Sequence, residues 1–313
     1  TMLDYPGIQA AVDAAQANQA LLLDAYTFYE SDILVDKPGL SLSGAGNNLS
    51  IINPDPMKLD DHDCSPDGGQ DHHGIIIAAS QVTISNLGID GGASYQYRSG
   101  ITTRYWEPGG PYHQTQLHQI SVLRTWFQGI VLRTYNNGIS NGNQITSCQV
   151  QESGNNCLDD NSWGIFLQDV DLSVVSSCTV NFYYQGIASM NTGGEYASIL
   201  IQENVVTQVV KKAFALVRTK STSLFTLNTG LFTDPANTGT GLYASRMQGT
   251  ASNNTFTGAE TGVFLSISNI GLNDNLIHQG GTGIRLEDSS NPLIRDNSIS
   301  ANSAYGLFNN TSI

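Results

Sequence analysis

Basic side chains are scarce in this sequence of 313 residues: thirteen Lys and Arg stand against twenty-seven Asp and Glu, for a formal charge of −14. Nucleic acids and anionic membrane surfaces are recognised through basic patches, so neither is expected as a partner. Long hydrophobic runs are missing as well. No stretch approaches the ~20 apolar residues that span a bilayer, and the first residues lack the basic-then-apolar order of a signal peptide. The expectation is a soluble, secreted or extracellular protein with no signal peptide in the sequence given. Cysteine is sparse: Cys64, Cys148, Cys157 and Cys178 form no CxxC and no Cys/His metal spacing, which argues against zinc. Only 13% of residues are charged, while Gly alone numbers 32, a composition of frequent turns and short strands that leans towards an all-β chain.

What the sequence does contain is a repeat. Segments of the form apolar-x-x-(Asn or Cys)-x-apolar recur as ITSCQV, VVSSCTV, ILIQENVV, FTLNTGLF, SNNTF, LNDNLI and IRDNSI. They place Cys148, Cys178, Asn204, Asn228, Asn254, Asn275 and Asn297 at equivalent positions, spaced 30, 26, 24, 26, 21 and 22 residues apart. A second ladder runs in phase, with glycines at 100, 129, 164, 186, 241, 262, 283 and 306, and Ala213 supplies the member missing between 186 and 241. Two phased strand signals in so short a period describe one coil of a solenoid, too short to hold a helix. Stacked coils pair each strand in parallel with its equivalents, and an Asn at a fixed bend can then hydrogen-bond along the stack. The N-terminal segment reads as an amphipathic helix from Ile8 to Ala15, followed by strands at Ala20 to Leu23, Asp32 to Val35 and Leu40 to Ser43.

These ladders resemble the pectin-lyase-like superfamily of right-handed parallel β-helices. The resemblance implies an all-β solenoid with an N-terminal capping helix, a single domain over residues 1–313. Residues 1–20 form the cap, residues 54–163 are coils with long loops that make a groove, and residues 164–313 are regular coils. Cys148 and Cys178 stand one coil apart in the same column, where parallel side-chain vectors favour two stacked free thiols over a disulfide. Cys64 and Cys157, in irregular segments, are left as paired or free.

The long excursions lie in the first half, at residues 54–73, 91–99, 103–116, 134–144 and 153–163, and insertions on one face of a solenoid are where function concentrates. The residues just before the glycine ladder form an aromatic and polar column: His72 and His73, Tyr97 and Arg98, Trp126 and Phe127, Trp163, Tyr183 and Tyr184, Lys211 and Lys212. Flat rings stack on sugar faces. Tyr97, Arg98, Arg104, Trp106, Trp126, Arg133, Trp163 and Tyr184 are therefore read as substrate-binding residues for a poly- or oligosaccharide. A second column brings Asp90, Arg124 and Glu152 into vertical proximity, and with Asp159 and Asp160 these are the catalytic candidates, since glycosidic cleavage needs two carboxylates ~5 to 10 Å apart. Stacked Arg104 and Arg133 call for a carboxylate or an anionic ligand between them. Metal is not expected elsewhere, the weaker candidate being the loop of Asp60, Asp61 and Asp63, whose oxygen donors suit calcium.

Family motifs divide the alternatives. The polygalacturonase-like glycosidases carry NTD, an Asp pair, GHG and RIK, of which only the Asp pair of CLDDN is present; the DPH motif of alginate C5-epimerases is absent. The pattern IDGG…SGI followed by QESGNNCLDD is similar to that of inulin fructotransferases, which implies a homotrimer. The leading expectation is a glycosidase or fructotransferase that uses Asp and Glu chemistry. The alternatives are a polysaccharide lyase or epimerase that uses Arg with calcium, and a non-catalytic glycan-binding β-helix such as a tailspike or adhesin.

Overall fold

The computed structural model describes residues 5–55, 72–92, 97–104, 110–134, 138–152, 161–192, 196–233 and 238–310. Within them the chain winds as a right-handed parallel β-helix of three long sheets, A, B and C, with a further two-stranded parallel pairing of Ser140–Asn141 with Val170–Asp171. One coil shows the plan: Gln116–His118 joins sheet A, Ser121–Leu123 joins sheet B and Gln128–Arg133 joins sheet C. Each strand pairs in parallel with its counterparts one coil before and after. In one late coil the strand Thr240–Ser252 runs from sheet C directly into sheet A.

Strand alternation fills the interior. Ile101, Ile130, Ile165, Ile187, Phe214, Leu242, Val263 and Ile284 form one inward column of sheet C, all fully buried. The glycine ladder lies where sheet C presses on the central column of sheet B. A Cβ on Gly129 or Gly164 would stand 2.2 Å from the Cγ1 of Val150 or Val180, and one on Gly186 2.4 Å from that of Val206. The coil with Ala213 in place of glycine is compensated, because Gly230 replaces the branched residue of sheet B; a Cβ there would sit 3.0 Å from the Ala213 Cβ. The two columns share one small volume between them.

The turn from sheet A to sheet B is equally repetitive. The residue before each ladder position is left-handed, from Ser177 (φ 55°) through Glu203, Leu227, Asn253 and Asp274 to Asp296. The buried ladder asparagines then bond along the axis: Asn228 Nδ2 donates to the Asn254 Oδ1 at 3.1 Å and to the Ile201 carbonyl at 2.9 Å. Its own Oδ1 accepts from Asn204 N at 3.1 Å and Asn204 Nδ2 at 2.9 Å. Cys178 and Cys148 extend the column as free, buried thiols, with Cys178 N on the Asn204 Oδ1 at 2.9 Å. Cys64 and Cys157 lie outside the described residues.

At the N-terminal end the helix Ile8–Ala14 turns Ile8, Ala11 and Val12 onto the first coil, and the Glu30 carboxylate accepts from Ile8 N at 2.5 Å and Gln9 N at 2.9 Å. The sequence reading places strands near Ala20–Leu22, Ile33–Val35 and Ser41–Ser43 but passes over Thr27–Tyr29, which opens sheet B. Its TFY triplet lies in a stretch whose alternation a polar flank obscures.

Candidate functional site

Sheet C carries an outward column opposite its buried one: Thr102, Val131, Phe166, Ala188, Ala215, Tyr243, Phe264, Arg285 and Phe308 stand in register on successive coils. Trp163, Ala188 and Ala215 form a second apolar cluster there, separate from the core, with Phe166, Met190 and Tyr243 packed against it. Trp163 stacks on Phe166 at 5.9 Å and Tyr243 on Phe264 at 5.3 Å between ring centroids. Cations lie over these rings: Lys212 Nζ is 4.8 Å from the Tyr243 centroid, and the Arg285 guanidinium is 5.7 Å from both Phe264 and Phe308.

The same mixture recurs on the early coils. The Arg98 guanidinium lies 5.1 Å from the Phe127 ring and 5.7 Å from Trp126. Burial, and secondarily the charge of Arg98, lower the Arg133 pKa to about 9. His73 is buried and held near 3 by burial, with Arg98, Arg133 and His72 adding to the effect, so it is neutral at ordinary pH. Of the chain's thirteen cations, Arg98, Arg133, Lys212, Arg218 and Arg285 lie in sheet C strands, with Arg104, Lys211 and Lys220 directly beside them. Many of an acidic protein's cations thus lie along one sheet, two of them ion-paired there: Arg285 with Glu287, and Lys220 Nζ with Asp171 at 2.5 Å.

Asp32 and His72, which the sequence reading does not link, meet at the N-terminal edge of this face. His72 Nδ1 lies 2.6 Å from one oxygen of Asp32, while the other accepts from the His73 backbone N at 2.7 Å. Their partnership spans forty residues, so nothing in local spacing signals it.

The residues expected from sequence are distributed as follows. Arg98 and Tyr184 are half-buried on the outer side, Tyr184 beneath the Lys211 ammonium at 5.5 Å. Arg133 ends one sheet C strand and Arg104 directly follows the preceding one, and both are half-buried. Tyr97, expected to face the sugar, is instead a core residue, fully buried with its hydroxyl donating to the Glu30 carbonyl. Trp126 and Trp163, at 5% and 3% exposure, are wall residues rather than open platforms. In the pairs 97/98, 126/127 and 183/184 the first member is buried and the second is half-buried and turned out. The sequence reading treats both as facing the groove.

Among the described residues the acidic candidates Asp90 and Glu152 stand in different register columns. By register Asp90 aligns with Leu123 and Gln151, one residue ahead of Arg124 and Glu152. Arg124, left-handed at φ 53°, turns back to clamp Asp90, its Nε 2.7 Å from Oδ1 and its Nη2 on Oδ2. Glu152 is 0% exposed, and its charge bears on the buried Tyr183 phenol, which hydrogen-bonds to Thr125 at 2.6 Å. Trp106, Asp159, Asp160 and the calcium candidates Asp60, Asp61 and Asp63 lie outside the described residues.

Among the described residues no group of three His, Cys, Asp or Glu side chains could hold a metal ion. The thiols of Cys148 and Cys178 are turned onto backbone carbonyls, and contact with Cys178, then burial, holds the Cys148 thiol above its ordinary range. No helix among the described residues is long and apolar enough to cross a membrane.

A family model described as periplasmic copper-binding protein (NosD) matches residues 141–313. No single curated protein sequence matches the chain. Among solved structures, the catalytic unit of the GH87 α-1,3-glucanase of Streptomyces thermodiastaticus aligns with a TM-score of 0.58 at 13% identity over 97% of this chain, which spans 62% of that unit. The surface protein and adhesin PfbA of Streptococcus pneumoniae gives 0.59 at 10% identity, covering 96% of this chain and 93% of that one. The A-module of mannuronan C-5 epimerase AlgE4 of Azotobacter vinelandii gives 0.56 at 15%, covering 98% and 92%. At these identities the likeness is one of fold.

Proposed function

The chain belongs to the family described as periplasmic copper-binding protein (NosD), a family of right-handed β-helices, and from that premise we propose that it recognises an extended, carboxylate-bearing polysaccharide along the outer face of sheet C. The observation that carries this reading is the convergence of cations and ring faces on one sheet of an acidic protein. Stacked coils repeat every ~4.8 Å, so a linear ligand lying along the axis meets equivalent positions in succession. Rings supply apolar contact to sugar faces, and guanidinium groups pair with carboxylates in bidentate fashion. A periplasmic or extracellular setting, where such polymers occur, agrees with the family's description.

The copper of that description finds no fit among the described donors: the paired sulfurs replace asparagine in a structural ladder and are sealed from solvent. Acid–base cleavage by Asp90 and Glu152 draws no support from their placement either, one being clamped and the other buried. The glucanase and the epimerase share only the fold with this chain, and the reading rests on the face itself.

Titration calorimetry with polyuronate and neutral-glucan oligosaccharides of matched length tests it. The polyuronates should bind with a marked salt dependence and the neutral glucans weakly, and Arg98→Ala or Arg133→Ala should weaken the former by about 10- to 100-fold, as loss of a charge-assisted hydrogen bond does. Equal affinity for both, or no effect of either substitution, would refute the reading.

A further inference from the structure

A second groove lies away from sheet C, at the corner that leads into sheet A on the first coils, and we propose that it binds a neutral, hydroxyl-rich polysaccharide through a row of side-chain amides. The corner is one column of left-handed residues: Asn18 (φ 62°), Gly39 (φ 70°), Gln81 (φ 62°), Gln114 (φ 56°) and Gly142 (φ 71°). Each backbone N donates to the next coil, Asn18 to the Pro38 carbonyl at 2.9 Å, Gly39 to that of Ser80 at 3.0 Å, Gln81 to His113 at 2.7 Å and Gln114 to Asn141 at 2.8 Å. Two residues further on, Gln116 and Gln144 stand in register in sheet A, both exposed. Together the two columns line a groove of about 620 Å³. A Cβ on Gly39 would stand 2.1 Å from the Asn18 Oδ1, and the Gln114 Cγ lies 3.5 Å from the Cβ position of Gly142. Both side chains are thus laid along the stack over a glycine of the next coil. Gln81 Nε2 donates to the Gln114 Oε1 at 3.0 Å. Asn18, Gln81 and Gln114 are thereby held in place before a ligand arrives, which lowers the entropy cost of binding. The amides of Gln116 and Gln144 make no hydrogen bond to another described residue and are left for the ligand.

The lining selects the ligand. Among the described residues no charged side chain lines the groove, and the chain as a whole carries −14, so a polyanion gains nothing there. No aromatic ring lines it among those residues either, which leaves nucleobases nothing to stack on. The sheet A strand Gln116–His118 is paired on both sides, so an extended peptide finds no free edge to join. A carboxamide offers two N–H donors beside a carbonyl acceptor, the complement of adjacent sugar hydroxyls, each of which both donates and accepts. Coils ~4.8 Å apart present that pair again and again to a linear chain. The site shares no residue with the outer face of sheet C and does not depend on the reading of that face.

Maltohexaose, cellohexaose and laminarihexaose are titrated into the full chain, with binding followed by saturation-transfer NMR and calorimetry. At least one should bind, weakly, with an affinity that holds between about 50 and 500 mM salt, because no charge is screened. Gln114→Ala should weaken it by about 3- to 10-fold, and Gln114→Ala with Gln116→Ala by about 10- to 100-fold, as loss of neutral hydrogen bonds does. Both side chains are exposed, so these variants keep the fold. Arg98→Ala, on sheet C, should leave the binding of the neutral hexasaccharide unchanged. Absence of binding by all three hexasaccharides overturns the assignment, as does undiminished binding in the double variant or loss of binding in Arg98→Ala. Failure of polyuronates to bind sheet C would defeat the earlier reading and leave this site standing.

Discussion

The corner between sheets A and B and the outer face of sheet C belong to the same coils and obey opposite rules. At the corner the chain does the same thing on coil after coil: a left-handed residue, then a buried Asn whose amide ties it to its neighbours above and below. On the outer face of sheet C one register column passes from two alanines, Ala188 and Ala215, to two rings, Tyr243 and Phe264, and then to Arg285. Inward positions must fit the coils on either side, so repetition there is enforced by packing. Of the outward positions Thr102, Val131, Ala188 and Ala215 are buried too, whereas Phe166, Tyr243, Phe264 and Arg285 are half-buried, and it is at these partly open positions that the sequence is free to vary.

The comparison can be broken most severely at the corner. Asn228→Ala leaves Asn204 N and the Ile201 carbonyl without their partners, and buried groups so stranded cost ~1 to 3 kcal/mol each. A loss of roughly 3 to 5 kcal/mol in urea unfolding is expected, with uronate affinity unchanged wherever the variant remains folded. At the junction of sheets B and C, Gly164→Ala should cost about 2 to 3 kcal/mol through its 2.2 Å approach to Val180. Adding Val180→Ala should recover about 1 kcal/mol of that, a coupling that only a shared volume produces.

A pH effect sharpens the contrast from the other side. His73 takes up its proton near pH 6.5 when unfolded but only near 3 when folded. Stability is therefore fully present above about 6.5 and is lost as pH falls towards 3, by up to ~1.4 kcal/mol per unit. Burial holds it there, with the charges of Arg98, Arg133 and His72 adding to the effect. Denaturation midpoints of His73→Gln should lack this slope, whereas a slope identical to that of the parent would contradict it. The smallest change belongs to Arg124→Ala. Its half-exposed ion pair with Asp90 is worth about 1 kcal/mol or less, and sugar binding on sheet C should not respond.

How far each region could be read beforehand follows from the same difference. The Asn ladder, the glycine ladder and the stacked thiols are legible because they recur at nearly equal intervals; even Ala213 is placed correctly, although the reason it is tolerated, Gly230 on the facing strand, emerges only from packing. The second column is legible only in part: Asp90 and Arg124 do meet. Asp90 falls in line with Leu123 while Arg124 falls beyond it, and a one-residue offset together with the left-handed turn converts a supposed catalytic neighbour into a clamp. Tyr97 is misplaced for a related reason, since adjacent residues on a strand point to opposite sides and the choice between Tyr97 and Arg98 cannot be made from composition. Asp32 and His72 lie beyond local patterns altogether, being joined only by the winding of the coil.

Hydroxyl-radical footprinting with and without a uronate oligosaccharide tests the central claim, that sheet C carries the ligand, most directly. Phe127, Phe166, Tyr243 and Phe264, half-buried on the outer side of that sheet, should be protected together, while Tyr26, Leu224 and Leu293, exposed elsewhere on the solenoid, keep their reactivity. Protection of the latter group with the sheet C rings unchanged would contradict the account.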